Sequence, residues 1–322
     1  MALNILFILA LIIGFNGCGG GGGSSDSTSI SLTFPSDAVE AEPTQENAQE
    51  VAQTTAEQDP TADLTSYTIN SVSNTKIGAL QVSNQLVKIA KDKLSKIDTQ
   101  TYTLNETINQ TYSCDTSGSY SISGSGSETG GFTLTATFNQ CNDYGEITNG
   151  SLRVSASNYS NAYEDYLNYN FQYLSTYTMT SGSYQISIAA GSYLRMTLNN
   201  YDTIYDTPSN YDLAISIIIE VDGLKYGIKD AVFNYDIDEA TSTLIYTQTQ
   251  GRFYLGTELA KYVDVDTSYT PPVEFTYQYG ILESGSGHYI MDNNATLEIN
   301  ATGNNTYTAT IDDNGTISTQ SY

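Results

Sequence analysis

Tryptophan is absent from this chain, histidine occurs once, and 11 Lys and Arg stand against 36 Asp and Glu, a formal net charge of −25. Each shortage excludes something. With His288 as the single imidazole and little free cysteine, a zinc site lacks its usual ligands. The acid excess repels phosphate backbones, so nucleic acid is not an expected partner, and anionic membrane faces are disfavoured for the same reason. Long apolar runs are missing too. Ile5 to Ile13 is nine residues, too short to span a bilayer, which takes about 20.

Nine apolar residues are, however, the length of a signal-peptide core. A small residue and a cysteine follow, Gly17-Cys18, and then a glycine run ending in Ser24-Ser25. Here the chain resembles the bacterial lipoproteins. The resemblance implies that residues 1–17 are removed and that Cys18 becomes an acylated N-terminus. Phe15 and Asn16 depart from the usual residues of that motif. Met1 to Asn4 lack the Lys or Arg of such a leader, as they would if the chain began further upstream. Gly19 after the cysteine resembles lipoproteins sorted to an outer membrane. The expected location is therefore the cell envelope, with the membrane as a partner through the lipid anchor. Acyl chains add about 0.8 kcal/mol per buried CH2, so several hold a protein durably.

With Cys18 acylated, Cys114 and Cys141 remain as a pair in an exported protein, where disulfides persist. They flank a Gly/Ser-rich segment and read as a staple on a hairpin. Closing such a loop is worth about 3 kcal/mol in the chain-entropy model.

From Gly19 to Ser66 the charges are nine acids and no base. Residues 18–66 accordingly read as a disordered Gly/Ser-rich and acidic tether. Residues 67–322 read as a β-rich domain. Its one expected helix, about 75–97, carries Ala79, Val82, Leu86, Ala90, Leu94 and Ile97 on one face, and Lys76, Lys88, Lys91, Lys93 and Lys96 lie in the same stretch. After it, strand signals continue to the C-terminus in a chain with 27 tyrosines. Tyr211, Leu213, Ile215, Ile217, Ile219 and Val221 alternate most cleanly, ending at an Asp222-Gly223 turn. Ser123-Gly124-Ser125-Gly126-Ser127 reads as another turn, and Asp292-Asn293, Gly303-Asn304 and Asn314-Gly315 as turns of a closing meander. Hairpins without intervening helices mean an antiparallel sheet. The expected fold is mainly β: a large meander curled into an open or flattened barrel, the helix packed on it. A two-sheet sandwich is the alternative.

Chemistry is harder to assemble. His288 in Gly285-Ser286-Gly287-His288 has a serine nearby but no strand-to-helix elbow, and no catalytic residue is assigned. The acids Asp236, Asp238 and Glu239, Asp264 and Asp266, and Asp312 and Asp313 do not fit a calcium loop, and neither metal nor cofactor is expected. Asn294, Asn300 and Asn314 each stand in an Asn-x-Thr two residues after an acid, which resembles the acceptor of bacterial N-glycosylation. The expected function is a non-enzymatic, membrane-anchored binding or structural lipoprotein. Its partner would be a protein, glycan or lipid met by tyrosines on wet strand faces. The alternative is a carrier holding a hydrophobic ligand between curved sheet and helix, with an enzyme third.

Overall fold

The computed structural model describes residues 30–55 and 108–322, apart from 128–130, 144, 161, 163–164, 183 and 203–206. The expected leader, Cys18 and the helix expected over 75–97 lie outside the described residues.

The first described element is an extended segment, Ile30 to Phe34, whose Ile30, Leu32 and Phe34 are half-buried while Ser31 and Thr33 are exposed. A short strand, β1 (Val39–Glu40), and a helix, α1 (Gln45–Thr55), follow. Residues 30–55 are thus part of the folded unit, which corrects the reading of 18–66 as a disordered tether over that stretch. The physical reason is local. Thr44 caps α1, its Oγ1 accepting from the Asn47 amide at 3.3 Å. Ala48, Val51, Ala52 and Thr55 then fall on one face at helical spacing and are buried. The acids point away from that face or are used: the Glu50 carboxylate accepts from the Gly256 amide at 2.8 Å.

The N-terminal half of the sheet comprises β2 (Ile108–Ser113), β3 (Ser117–Ser127), β4 (Gly131–Asp143), β5 (Glu146–Ser160), β6 (Asp165–Tyr173), β7 (Tyr177–Ser181), β8 (Tyr184–Ile188) and β9 (Tyr193–Asp202). The C-terminal half comprises β10 (Thr207–Val221), β11 (Leu224–Asp238), β12 (Thr243–Leu255), β13 (Lys261–Val265), β14 (Val273–Gln278), β15 (Ile281–Ile290), β16 (Thr296–Gly303), β17 (Thr306–Asp313) and β18 (Thr316–Ser321). All belong to one 18-stranded sheet rather than to a two-sheet sandwich. Pairing is antiparallel except for β1, which lies parallel on β13.

Two gaps in the meander are each filled by strands lying end to end. Long β5 pairs β6 along Leu152–Ser160 and β7 along Glu146–Asn149. Long β10 receives β9 and β8 in the same way. With β6 on β9 and β7 on β8, six strands hydrogen-bond in a closed ring. The result contains a ring of strands without being a regular barrel.

The tight turns are where Asp, Asn and Gly allow positive φ at both central positions: Asp222 and Gly223 at 49° and 85°, Asn304 and Asn305 at 56° and 60°, Asn314 and Gly315 at 52° and 92°. Ser123–Ser127, by contrast, is strand and not turn. Gly124 and Gly126 sit opposite Leu134 and Phe132 in the β3–β4 ladder, where a missing side chain makes room for a large one across the strands. Phe138 opposite Gly150 and Phe275 opposite Gly285 repeat the device.

One sheet face carries the core. A single cluster of buried residues runs from β4 to β17 and includes Ala48, Val51 and Ala52 of α1. A sheet buries one face that completely only by curling over it or being covered, and both happen here. The tyrosines expected on wet faces belong largely to this core: Tyr173, Tyr177, Tyr235, Tyr246, Tyr277, Tyr289 and Tyr307 are fully buried. Tyr211 stacks on Tyr235 at 4.7 Å, Tyr235 meets Tyr246 at 5.8 Å, and Tyr246 stacks on Phe275 at 6.5 Å. Burial pushes the hydroxyls of Tyr173, Tyr235, Tyr246 and Tyr289 well above the ordinary tyrosine pKa. The disulfide Cys114–Cys141 forms, its Cα atoms 5.4 Å apart, and ties the β2–β3 turn to β4.

Candidate functional site

Register slips create the most site-like feature. Ile215 pairs with Ala231 and Ile217 with Ile228, so one residue of β10, Ser216, opposes two of β11, Lys229 and Asp230. The inserted Asp230 takes φ 50°, a left-handed value that Asp tolerates better than most residues. A bulge strands an amide, and here the Asp230 amide donates to Ser216 Oγ at 2.8 Å instead of to the ladder. Ser216 Oγ donates to Asp230 Oδ1 at 3.0 Å. The Tyr193 hydroxyl joins them, 3.3 Å from Ser216 Oγ and 3.5 Å from Asp230 Oδ1. Ser216 is 3 % exposed while Asp230 is exposed, so this knot of hydrogen bonds runs from the floor to the rim.

Around it is a pocket of about 300 Å³, at the lower end for small-molecule sites. Gln172 of β6, Tyr193 and Arg195 of β9, Ser216 of β10, and Lys229 and Asp230 of β11 line the sheet side. Ile30, Ser31, Leu32 and Phe34 supply the opposite wall. That wall is held closely. At Gly191, φ 85°, a Cβ would stand 2.4 Å from the Leu32 backbone nitrogen, so only glycine admits the segment there. Phe34 stacks on Tyr254 at 4.7 Å and 14°.

Two cations face this space. The Arg195 guanidinium lies 4.9 Å from the centre of the Tyr193 ring, and the Lys229 ammonium lies 6.0 Å from that of Phe34. Among the described residues neither has a carboxylate within ion-pair distance, unlike Lys225, paired with Glu258 at 3.2 Å, and Arg252, paired with Asp264 at 2.7 Å. Hydrogen bonds from the Arg252 guanidinium to Asp264 hold its pKa above the ordinary arginine value.

The residues singled out in the sequence do not converge. His288 stacks on Tyr269 at 3.7 Å, and its Nε2 is 3.5 Å from Ser286 Oγ, too long for a working nucleophile–base bond. Asp238 caps its own turn, accepting from Thr241 Oγ1 at 2.8 Å, which lowers its pKa. Asp236 is exposed on β11. Glu239 follows Asp238 into the β11–β12 turn. Asp264 is taken by Arg252, and Asp266 accepts from the Ser268 amide at 3.0 Å. Asp312 accepts from the Gly315 amide at 2.7 Å, and Asp313 from Asn314 at 2.9 Å. Among the described residues no group of three or more His, Cys, Asp or Glu is placed to hold a metal ion. Asn294 and Asn314 are exposed in turns with φ 58° and 52°, whereas Asn300 lies half-buried within β16.

Fold and site together define a mainly β protein built on one ring-containing sheet, with a surface pocket at the seam between its halves. No protein-family model matches the chain, and no curated protein is similar to it in sequence.

Proposed function

We propose that this is a lipid-anchored, non-enzymatic binding protein of the cell envelope, attached through Cys18 and holding its ligand in the pocket between β9, β11 and the Ile30–Phe34 segment. The observation that carries the reading is the pair Arg195 and Lys229, which outnumber the one carboxylate, Asp230, at one pocket of a chain with a net charge of −25. Concave sites with a few convergent polar groups are where ligands bind. Attachment at the outer membrane follows from the leader and Gly19 by the resemblance described above. A carrier of a hydrophobic ligand is less well supported: the face on which it would sit is occupied by rings 4.7–6.5 Å apart.

Two measurements test the proposal. Labelled palmitate should enter the wild-type protein and not Cys18→Ser, and the wild type should fractionate with membranes. Mass spectrometry of small molecules released from natively purified protein should find one that Arg195→Ala/Lys229→Ala no longer retains. A soluble, unlabelled wild type would defeat the anchor. An identical set of released molecules from both proteins would defeat the pocket.

A further inference from the structure

We infer that the pocket takes its ligand through an oxyanion, a carboxylate or phosphate, and that the segment Ile30–Phe34 is the part that completes the site; this rests on the pocket being the binding site. Arg195 and Lys229 give two positive charges against the single carboxylate of Asp230, whose Oδ1 is already engaged by Ser216 and Tyr193. The local balance is therefore positive in a strongly negative chain. Both cations lie over aromatic rings, Tyr193 and Phe34, which hold the heads in place through their faces and leave the N–H donors for a ligand. A third cation extends the row. Arg153 opposes Gln172 in the β5–β6 ladder, and Gln172 opposes Tyr193 in the β6–β9 ladder, so Arg153 stands two strands, about 10 Å, from Tyr193 on the same face.

The segment matters because Phe34 carries the ring beneath Lys229 and, with Ile30, Ser31 and Leu32, forms one wall of the pocket. With the segment lifted, Lys229 returns to solvent and the pocket loses that wall. Ligand binding and docking of Ile30–Phe34 are then linked, each favouring the other. Ile30 lies twelve positions after Cys18, a reach of at most about 40 Å, so on this reading the site is held close to the surface that anchors it.

The test uses the full chain with Cys18→Ser and titrates D-glucuronate and sn-glycerol 3-phosphate, with D-glucose and glycerol as neutral counterparts. At least one anion should bind saturably, its neutral counterpart at least tenfold more weakly, and the affinity should fall as salt rises. Arg195→Ala and Lys229→Ala should each weaken the anion tenfold or more with the melting temperature unchanged. Asp230→Asn keeps the left-handed residue class, removes the competing charge, and should tighten binding about fivefold. Phe34→Ala removes no charge and should still weaken binding. Retention on vesicles containing phosphatidylglycerol that depends on Arg195 would identify a lipid head group as the source of the oxyanion. Binding of glycerol 3-phosphate without such retention would identify a soluble molecule. Neutral counterparts binding as well as the anions, or affinities indifferent to Arg195 and Lys229, would overturn the oxyanion inference and leave a binding pocket standing. Failure of all four compounds to bind, with no molecule on the purified protein, would overturn both.

Discussion

Asp230 shows how one inserted residue makes a site. Its left-handed φ turns its amide off the ladder, and Ser216, buried on the neighbouring strand, receives that amide and returns a hydrogen bond to the carboxylate. Ser216→Ala should therefore lower stability by about 1 kcal/mol, read as a shift of the urea midpoint at unchanged slope. Asp230→Val puts a β-branched residue at φ 50° and should cost about 1–2 kcal/mol. Gly191→Val sets a side chain against the Leu32 backbone and should free the N-terminal segment while leaving the sheet folded. Proteolysis before Val39 should become fast in that variant, and a cleavage rate equal to that of the wild type would contradict the close approach. None of these positions announced itself in the sequence. Ser216 sits inside the cleanest alternating run of the chain, Tyr211 to Val221, and the pattern reads through it as though the strand were regular. Register slips are set by two strands together, and neither strand alone reports them.

At the scale of elements, the strands and their turns were legible and the N-terminal additions were not. Asp222-Gly223 and Asn314-Gly315 form the turns that their residue types demand, because few other pairs adopt positive φ twice. Gly124 and Gly126 misled in the other direction: glycine usually marks a turn, but here it faces Leu134 and Phe132 across a ladder. Ile30-Ser31-Leu32-Thr33-Phe34 does alternate, and Pro43-Thr44 followed by Ala48, Val51, Ala52 and Thr55 is a capped amphipathic helix. Both signals lie in a stretch whose acid bias resembles a disordered linker, and alanine is a weak hydrophobic marker. Their contribution is testable. Val51, fully buried between helix and sheet, should not accept a charge: Val51→Asp should detach α1 and open residues 30–55 to proteases. The pocket could not be read from sequence because its lining comes from the N-terminal segment and from β6, β9, β10 and β11, whose residues are brought together only by the sheet.

At the scale of the whole molecule, the tyrosine-filled core sets the response to alkali. Tyr173, Tyr235, Tyr246 and Tyr289 are buried, and burial raises each above the ordinary tyrosine value of about 10. The folded state then holds protons that the unfolded state has released. Stability from these residues is complete below about pH 10 and falls as pH rises through the folded values. Phenolate absorbance should therefore include a late part, in which the buried set ionises together with unfolding. A smooth titration of all 27 tyrosines near pH 10 would contradict the packing. Reduction of Cys114–Cys141 should lower stability by about 3 kcal/mol without changing the strand content.

The segment Ile30–Phe34 forms one wall of the pocket proposed to hold the ligand. Thiol labelling of the full chain tests it most directly, with cysteine placed at Leu32 or at Ser31 in a Cys18→Ser background and the Cys114–Cys141 bond intact. Ser31 is exposed and Leu32 is half-buried against Gly191. The Ser31→Cys thiol should react with a maleimide at the rate of a free peptide. The Leu32→Cys thiol should react at least tenfold more slowly, and more slowly again with saturating anion. Equal rapid labelling at both positions, unchanged by anion, would mean that the segment is free of the sheet and that the pocket lacks its second wall.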